Sequence, residues 1–310
     1  MYRILYGTPE KNIDITIPCQ TKCMKNNIIR IPSSDFMRAF IFTDPYVDVL
    51  KSILIEKGDS VFTYDHTVVI YIDNSTQEIF TQASTLPDYI KATYPDFTNV
   101  LRKMHQQLKL DYGSFQDEYP EQLLAVEYIT GTENVLEIGG NIGRNSLIIA
   151  SILNEHNNTN LVTLECCTSI AAQLSHNRNK NNLFFHVENA ALSKTDLYQP
   201  DGQWQTVQSN VPLVGHTKLN TITFDELEKK YKIQFDTLVM DCEGAFYYIL
   251  QGMPEMLKNI NLVIMENDYN LVEHKEFVDR CLMDSGLHRV HWEAGGWGPC
   301  FHRFYEVWKR

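Results

Sequence analysis

The segment at residues 134–150 combines residue types and spacing that can bring a protein backbone close to a ligand. It begins with a short apolar run, Val135–Ile138, which predicts a buried parallel strand. The apolar-rich residues 147–150 at its end suit the buried face of a helix. Between the two stand three glycines, Gly139, Gly140 and Gly143. Because glycine has no side chain, a strand, a glycine turn and a helix in this order form a nucleotide-type binding edge.

The spacing of these glycines differs from that of dinucleotide-binding proteins. Those proteins carry Gly-x-Gly-x-x-Gly, whereas this chain has Glu-x-Gly-Gly-x-x-Gly, with Glu137 on the strand itself. Two interpretations stay open at this point. The turn either binds a nucleotide-like ligand or is a tight strand–helix connection of some other α/β protein.

Acidic residues stand at the ends of the apolar runs that predict parallel strands. Glu165 follows Glu137 by 28 residues, where its carboxylate can accept hydrogen bonds from both hydroxyls of a ribose. A solvated acid at a strand terminus is the alternative for any single position. Carboxylates that converge on one edge of a sheet repel each other unless a ligand or cation compensates them. Five predicted strands end in this way, at Glu137, Glu165, Glu188-Asn189, Asp241 and Glu266-Asn267.

The elements that position these residues alternate between strand and helix. Predicted strands lie at residues 135–138, 161–164, 183–187, 237–240 and 261–265. Predicted helices lie at residues 120–129, 169–179, 224–231, 244–256 and 272–285, and an irregular segment spans 193–220. The alternation predicts an α/β fold: a doubly wound, Rossmann-like, mainly parallel sheet with ligands at the carboxyl ends of its strands. Two closing β segments, 287–292 and 301–308, would add an antiparallel edge.

The N-terminal part of the chain has a different pattern. Residues 1–84 predict a small β-rich domain, with candidate strands at 2–6, 13–17, 28–31, 40–43, 49–55 and 61–72. Residues 85–115 predict a helical connector, because Pro87-Asp88 and Pro95-Asp96 resemble helix starts. Residues 116–310 contain the α/β domain. The β-rich domain carries no chemical motif, and its candidate roles are to cover the second domain, to form a homodimer or to help hold an acceptor.

The charge balance of the chain bears on its partners. The 310 residues include 27 Lys and Arg against 39 Asp and Glu, which makes a net charge of −12. The sequence has no run of clustered Lys or Arg, so nucleic acid is a disfavoured partner. With 44% hydrophobic and 21% charged residues, the composition is that of a globular protein large enough for two domains.

The cysteines and the N-terminus bear on the compartment. The seven cysteines are irregularly spaced and two are adjacent, which argues against a disulfide framework and favours a reducing compartment. The N-terminal residues are too polar for a signal peptide, and no apolar run approaches the length of a membrane span. We therefore expect a cytoplasmic protein without a membrane partner.

Taken in order, five segments resemble the successive motifs of FkbM-type methyltransferases, which use S-adenosyl-L-methionine (SAM). They read NVLEIGGNIG, LVTLECC, ENAALSKTD, TITFDEL and FDTLVMDCEGAFYYILQGM, within residues 114–267. The closing segment WEAGGWGPCFHRFYEVW and the N-terminal β segment are more similar to a branch of that family found in large DNA viruses. The resemblance implies the methyltransferase version of the doubly wound fold, and a viral protein in the host cytoplasm. It also implies O-methylation of a sugar, a glycan or another small hydroxylated acceptor.

The resemblance further implies a set of SAM-binding residues. Glu165 would hold the ribose of SAM, and Asn189 with Ala190 would border the adenine. The methionine end of SAM would lie against Glu137, Gly139, Gly140, Asn141 and Gly143.

The chain departs from the family pattern around the motif Asp241-x-Glu243-Gly244. The family usually has a lysine before this motif, where this chain has Val239-Met240. It usually has a glutamate two residues after the glycine, where this chain has Phe246. Because the core of the motif is kept, SAM chemistry is still expected, while the acceptor is left open.

Methyl transfer to an alcohol requires an oxygen that is aligned with the sulfonium and relieved of its proton. Asp241 or Glu243 can act as a general base within hydrogen-bond reach of the hydroxyl. Alternatively, Asp241, Glu266 and Asn267 offer three oxygen ligands that resemble the divalent-cation site of catechol-type O-methyltransferases. There an ion such as Mg²⁺ lowers the pKa of the acceptor. His291, on a closing β segment, is a further candidate to reach an acceptor, although a lone histidine is more often packed or solvated.

Two other functions stay open from the sequence. RNA ribose 2′-O-methylation usually brings a Lys-Asp-Lys-Glu tetrad, whereas the fifth predicted strand here ends in Glu266 and the chain is acidic. A catalytically inactive SAM fold would instead serve as a binding or scaffolding protein. The intact glycines and the intact Asp241-x-Glu243 motif argue against that role.

Overall fold

The computed structural model describes residues 2–200 and 206–310, and the chain divides into two compact units. The first unit is Met1–Asp96 and the second is Phe97–Arg310. The division falls inside residues 85–115, the range predicted as a helical connector. Met1 of the predicted β-rich domain lies outside the described residues, as do Asp201 and Gly202 of the predicted irregular segment.

The first unit is β-rich, as predicted. Its elements are β1 (Tyr2–Gly7), β2 (Asn12–Asp14), α1 (Thr16–Lys22), β3 (Met24–Lys25), β4 (Ile28–Ile31), α2 (Asp35–Phe42), β5 (Ser52–Lys57), β6 (Ser60–Tyr64), β7 (Ile70–Asp73), β8 (Ile79–Phe80) and α3 (Asp88–Thr93). The strands form two antiparallel sheets, ordered β2-β1-β5-β6 and β3-β4-β7-β8. Isoleucines of both sheets, such as Ile4 and Ile29, are buried in one shared core.

Three strand predictions in the first unit are wrong, one of them in part. Residues 16 and 17, predicted as the end of a strand, begin helix α1, where the Asp14 carboxylate accepts a hydrogen bond from the Thr16 N–H at 2.9 Å. Residues 40–42 end helix α2 instead of forming a strand; the buried side chains of that helix, Arg38 and Phe42, are four residues apart, which is the helical period. Residues 61–72 belong to two strands, β6 and β7, which lie in different sheets. The chain turns between them because the Asp65 carboxylate accepts a hydrogen bond from the Thr67 N–H at 2.7 Å.

The second unit contains a seven-stranded sheet with helices on both faces. Its elements are α4 (Phe97–Gln107), α5 (Tyr119–Tyr128), β9 (Val135–Ile138), α6 (Arg144–Glu155), β10 (Leu161–Leu164), α7 (Thr168–Lys180), β11 (His186–Glu188), β12 (Ala191–Leu192), β13 (Leu197–Pro200), β14 (Val207–Gln208), β15 (His216–Lys218), β16 (Thr221–Ile222), α8 (Phe224–Tyr231), β17 (Thr237–Met240), α9 (Phe246–Gly252), β18 (Leu262–Glu266), α10 (Val272–Asp284), β19 (His288–Glu293) and β20 (Tyr305–Lys309).

The order of strands in the large sheet is β11-β10-β9-β17-β18-β20-β19. The first five strands are parallel, and β20 runs antiparallel to both of its neighbours. A dinucleotide-binding sheet has the same reversal of order around its first strand but no inserted antiparallel strand. The fold is therefore the predicted one, a doubly wound α/β sheet of the methyltransferase type with an antiparallel C-terminal edge.

Both faces of this sheet are buried, which explains why its central strands are mostly apolar. On β17, Leu238 and Met240 contribute to a core with helices α8, α9 and α10. Val239, between them, contributes to a second core with helices α4, α5 and α6. Only the residues that follow the strands can be polar without a cost in burial, and these residues form one edge of the sheet.

Some elements of the second unit differ from the sequence prediction. The segment 193–220, predicted as irregular, contains a small antiparallel sheet of β13, β14 and β15. The closing segment 301–308 begins in a 3₁₀ turn, Gly298–Arg303, before β20. None of the helices in the described ranges combines the length and apolarity needed to cross a membrane.

Candidate active site

A cavity of about 800 Å³ opens at the carboxyl ends of β9, β10, β17 and β18. Its lining includes residues that end these strands or directly follow them, among them Gly139, Glu165, Asp241 and Glu266. Doubly wound sheets bind their ligands at this edge. The volume is within the range of small-molecule sites, about 300–1,000 Å³.

The glycine turn after β9 packs its backbone against Asp241. Gly139 has a φ of +89°, and a Cβ there would lie 1.7 Å from the Asp241 carbonyl oxygen, so only glycine fits. The N–H groups of Gly139 and Gly140 both donate to the Leu164 carbonyl, at 3.1 and 2.9 Å. The Gly143 N–H donates to the Gly140 carbonyl at 2.8 Å. The turn is thus closed on itself and on strand β10.

The other two N–H groups of the turn are also bonded within the protein. The Asn141 N–H donates to Glu165 Oε2 at 3.1 Å, and the Ile142 N–H donates to Asn141 Oδ1 at 2.9 Å. The Asn141 side-chain amide donates to the Glu118 carboxylate at 3.2 Å. All five N–H groups from residue 139 to residue 143 therefore have an acceptor inside the protein.

Glu165 lies on the cavity wall and is only 6% exposed. Its carboxylate accepts hydrogen bonds from the Cys167 N–H at 2.7 Å and from the Asn141 N–H at 3.1 Å. Burial raises the pKa of Glu165, although these backbone hydrogen bonds lower it in part. Each carboxylate oxygen has a second lone pair, so Glu165 can accept hydroxyl groups of a ligand while it is held in place.

Asn189 and Ala190 lie next to this loop. The Asn189 side-chain amide donates to the carbonyls of Glu165 and Cys166, at 2.9 and 3.1 Å. Ala190 lines the cavity, and Asn189 is not among its lining residues. Asn189 therefore positions the Glu165 loop, and Ala190 offers the surface that a ligand can contact.

Glu137 faces the interior and is not among the residues that line this cavity. Its Oε2 accepts hydrogen bonds from Ser146 Oγ at 2.5 Å and from Thr163 Oγ1 at 2.7 Å. Burial raises the pKa of Glu137 to about 7. The geometry makes Glu137 a positioning residue that joins β9 to α6 and β10.

An ion pair that the sequence did not reveal stands on the cavity wall. Arg144 donates to Glu118 Oε1 at 2.6 Å and to the Ser114 carbonyl at 3.1 Å. Burial raises the pKa of Glu118 to about 7, although the charge of Arg144 lowers it in part. Both side chains line the cavity. The pair presents an acid and a guanidinium on the same wall.

Three carboxylates from three separate elements meet at the cavity. One oxygen each of Glu121, Asp241 and Glu266 lies within 4.8 Å of the others. Glu121 is 6% exposed, and its Oε2 has no hydrogen-bond partner. Burial raises the pKa of Asp241 well above its ordinary value, and the charges of Glu118 and Glu121 raise it further. Burial, a hydrogen bond with Glu121 and the charge of Asp241 raise the pKa of Glu266 to about 11.

Asn267, predicted as a metal ligand with Asp241 and Glu266, is directed elsewhere. Its side-chain amide donates to the Arg303 carbonyl at 2.7 Å, and the residue is not among those that line the cavity. Successive residues along a strand point to opposite faces, and here the Asn267 side chain, directly after β18, lies on the side of Arg303 while Glu266 lines the cavity. In the structure Glu121 takes the third position. The sequence signal for Glu121 is its position in helix α5. It stands three and four residues before the buried Leu124 and Ala125, and therefore on the buried face of the helix.

A second group of acids follows strands β17 and β18. Glu243 is exposed and has a left-handed backbone, with a φ of +52°, and Gly244 follows with a φ of +76°. Asp268 is 5% exposed, and burial together with the charge of Glu243 raises its pKa to about 7. Glu243 and Asp268 both line the cavity.

Aromatic rings line the cavity beside these acids. Tyr248 and His274 both contribute to the lining, with ring centroids 5.6 Å apart in an edge-to-face arrangement. Tyr247 stacks on the other side of His274, with a centroid distance of 3.7 Å. The Tyr248 side chain is 61% exposed, so its ring is accessible to a ligand.

His291, predicted as a candidate catalytic residue, is not brought to the cavity. It lies on β19, the outer strand of the antiparallel edge, and packs edge-to-face against Tyr128 at 6.0 Å. Its Nε2 is 3.8 Å from the Glu293 carboxylate. The strand order separates β19 from β17 by two strands, so His291 cannot act where Asp241 acts.

No protein-family profile matches the chain, and neither does any curated protein. Among solved structures, an O-methyltransferase from Bacillus cereus in complex with S-adenosylhomocysteine (SAH) is 15% identical to this chain. Its TM-score is 0.41, over 72% of this chain and 96% of that one. Methyltransferase FkbM from Methylobacillus flagellatus KT is 10% identical, with a TM-score of 0.40 over 69% and 58%. The ribosomal protein L11 methylase from Lactobacillus delbrueckii subsp. bulgaricus is 11% identical, with a TM-score of 0.39 over 65% and 81%. These similarities are too low to assign a function, so the basis for one is the cavity itself.

Proposed function

We propose that the protein is a SAM-dependent methyltransferase whose cavity binds SAM. The observation that carries this proposal is the combination of a closed glycine turn with Glu165. Dinucleotides are bound through their pyrophosphate by free N–H groups at such a turn, and here all five N–H groups from residue 139 to 143 already have acceptors. Glu165 instead offers a fixed carboxylate to the two hydroxyls of a ribose. SAM has a ribose and no pyrophosphate.

The ion pair of Glu118 and Arg144 suits the methionine end of SAM. That end carries an ammonium group and a carboxylate, and the pair supplies one acid and one guanidinium. Gly139 lines the same cavity as this pair, so its backbone offers the methionine chain a surface without a side chain. The adenine would contact Ala190 and Leu192, which line the same cavity.

In the reaction, the bond between sulfur and the methyl carbon of SAM breaks, and its electron pair stays on sulfur. A bond forms between that carbon and the acceptor oxygen, the hydroxyl proton leaves, and the products are SAH and a methyl ether. Alignment of the two reacting atoms supplies much of the rate. Asp241 or Glu243 would accept the proton. Because burial raises the pKa of Asp241, its ionised form is a stronger base than an ordinary aspartate.

We also propose that a divalent cation binds at this site. Glu121, Asp241 and Glu266 would hold it, and carboxylate oxygens are the ligands that Mg²⁺ takes. The residues fit a cation because the buried Oε2 of Glu121 has no partner. When bound, the ion would lower the pKa of the acceptor hydroxyl. If a chelator leaves the turnover of wild type and of Glu121→Gln unchanged, this part of the proposal is refuted.

The acceptor we propose is a hydroxyl of a sugar, a glycan or another small molecule. The cavity has the size of a small-molecule site, and the exposed ring of Tyr248 gives a ring-shaped acceptor a flat apolar surface. A screen with labelled SAM across sugars, glycans, RNA and proteins, with the methylated atom located by mass spectrometry, tests both the acceptor and the O-methyl assignment.

Isothermal titration tests the cofactor directly. We expect SAM and SAH to bind and NAD⁺ not to bind. Glu165→Gln removes the charge that faces the ribose and should weaken SAH binding about 10- to 100-fold, because hydrogen bonds to charged groups contribute about 1.5–3 kcal/mol each. Glu276→Gln, an exposed acid on α10, is the matched control and should bind SAH like wild type. Absence of heat with both SAM and SAH would refute the proposal.

A non-catalytic role predicts a different pattern. SAH binding without turnover of any acceptor in the labelled screen would favour a binding or scaffolding protein over an enzyme.

A further inference from the structure

The wall of the cavity carries far more negative than positive charge. Arg144 is the one lysine or arginine among the described residues that line it. The acids of the lining are eight: Asp117, Glu118, Glu121, Glu165, Asp241, Glu243, Glu266 and Asp268. An anionic acceptor, such as a sugar phosphate or RNA, would therefore meet like charge on entry.

Only some of these acids have a partner within the fold. Asp117 and Glu118 pair with Arg144, and Glu165 accepts two backbone N–H groups. The other five form no ion pair with a lysine or arginine of residues 2–200 and 206–310: Glu121, Asp241, Glu243, Glu266 and Asp268. Without a ligand, the raised pKa values of Asp241, Glu266 and Asp268 let these side chains hold protons. A positively charged ligand would take the place of those protons.

The proposed cofactor meets only part of this charge. SAM has two positive groups, the sulfonium and the ammonium, and one carboxylate, so it brings a net charge of +1. A divalent ion at Glu121, Asp241 and Glu266 would serve those three carboxylates. Glu243 and Asp268 would still have no cation, and the acceptor is the remaining molecule that can supply one.

Two further observations point to a positively charged ligand. The Oε2 atom of Glu121, in a side chain more than nine-tenths buried, has no hydrogen-bond partner, so the cavity contains an acceptor atom that a cationic donor would satisfy. The accessible ring of Tyr248 and the ring of His274 line the same cavity as Glu243 and Asp268. The faces of aromatic rings attract cations, and carboxylates beside them strengthen the effect.

We infer that the methyl acceptor is a positively charged hydroxyl compound, of the amino-sugar or amino-alcohol class. Its ammonium group would lie against Glu243 and Asp268 beside the ring of Tyr248, while its hydroxyl faces the methyl group of SAM and loses its proton to Asp241. The ammonium group stays protonated and takes no part in the transfer. This inference rests on the proposed methyltransferase function and adds the charge of the acceptor to it.

Matched probes that differ in charge test the inference. Protein saturated with SAH is titrated at pH 7 with glucosamine, with N-acetylglucosamine and with glucose 6-phosphate, and binding is followed by ligand-observed NMR. We expect glucosamine to bind at least about tenfold more tightly than the neutral sugar, since it gains charged hydrogen bonds that the others lack. Glucose 6-phosphate should bind most weakly because of the acidic wall.

Variants then connect the preference to its residues. The double variant Glu243→Gln with Asp268→Asn should lose the preference for glucosamine, by about tenfold, and keep the SAH affinity of wild type. Glu276→Gln, outside the cavity, should keep both. Tyr248→Leu should reduce the preference by a smaller factor.

The outcomes separate this inference from the proposed function. If wild type does not bind SAH, the methyltransferase proposal fails first. If SAH binds but glucosamine binds no better than N-acetylglucosamine, including when none of the three sugars binds detectably, only the charge of the acceptor is refuted. A preference that survives in the double variant would also refute the assignment to Glu243 and Asp268.

Discussion

Two acids on adjacent strands of the large sheet have opposite surroundings. Glu306 lies on β20, which pairs with β18, the strand that ends in Glu266. Glu306 is fully buried and accepts hydrogen bonds from Lys275 Nζ and Arg289 Nη1, both at 2.8 Å. Burial by itself raises the pKa of Glu306, but the charges of Lys275 and Arg289 outweigh it, so this pKa lies below its ordinary value.

Glu266, one strand away, has acids as neighbours instead of bases. The carboxylates of Glu121 and Asp241 stand within reach of it, and its pKa rises to about 11 through burial and these neighbours. A fold that can place a lysine and an arginine around one buried carboxylate has no general difficulty in compensating charge. Under the proposed function, a bound cation and not the fold would supply the opposite charge at the cluster around Glu266.

The largest effect that separates the two regions is expected in catalysis. Asp241→Asn should reduce turnover about 10²- to 10⁴-fold, the usual contribution of a general base. SAH affinity should stay within about twofold of wild type, because in the proposed function Glu165 and the glycine turn would bind the cofactor. Steady-state kinetics with the acceptor found in the labelled screen, together with titration of SAH, measure both. Full turnover in this variant would remove Asp241 from the proton transfer.

The next largest effect is expected in stability, at Glu306, whose charge is compensated by Lys275 and Arg289. Glu306→Ala removes a carboxylate that the buried Lys275 and the partly exposed Arg289 share, and leaves them only Asp279. The free energy of unfolding should fall by about 3 kcal/mol, the low end of the usual cost of breaking a buried ion pair. Denaturant unfolding monitored by circular dichroism gives the value. Glu276→Ala, on the exposed side of α10, serves as the control and should change it by less than about 0.5 kcal/mol. A loss below about 1 kcal/mol for Glu306→Ala would show that its ion pairs do not stabilise the fold.

Glu137 is an intermediate case, since it is buried with hydroxyl partners and no base. Its pKa rises from 4.5 to about 7 on folding, so the folded state holds the proton more tightly than the unfolded state. Stability present below pH 4.5 should therefore be lost as the pH rises toward about 7, by on the order of 2–3 kcal/mol. Glu137→Gln should remove this contribution. Unfolding curves of wild type and of Glu137→Gln, measured without ligand between these pH values, test this prediction. Identical pH profiles of the two proteins would contradict it.

The smallest effect, and the one of opposite sign, is expected at Glu266. Burial and neighbouring acids raise the pKa of Glu266 to about 11, so at pH 8 this side chain must take up a proton on folding, which costs stability. Glu266→Gln removes that cost, so the free energy of unfolding at pH 8 should increase, on the order of 1 kcal/mol. Glu306→Gln, which keeps the shape but removes the charge between two bases, should decrease it. The same denaturant experiment measures both variants. A decrease in both would mean that the two acids are equivalent and that the contrast between the regions is wrong.

The local elements of the second unit follow closely from the sequence. Strands β9, β10 and β17 begin and end at the predicted residues, because short, mostly apolar runs define strands buried on both faces. Helix α8 also has its predicted bounds, since Thr223 and Glu226 form a capping box at its start. The order of these elements was enough to predict a doubly wound sheet and the edge at which its ligands bind.

What the sequence by itself determined is thus the fold class, the glycine turn and the acids that follow the strands. The tertiary structure alone decided which of those acids share a site. It placed Glu121 beside Asp241 and Glu266, turned Asn267 away and kept His291 on an outer strand. Propensity and periodicity act over a few residues, whereas Glu121 and Asp241 are 120 residues apart in the chain. Their contact exists only because helix α5 packs on the folded sheet.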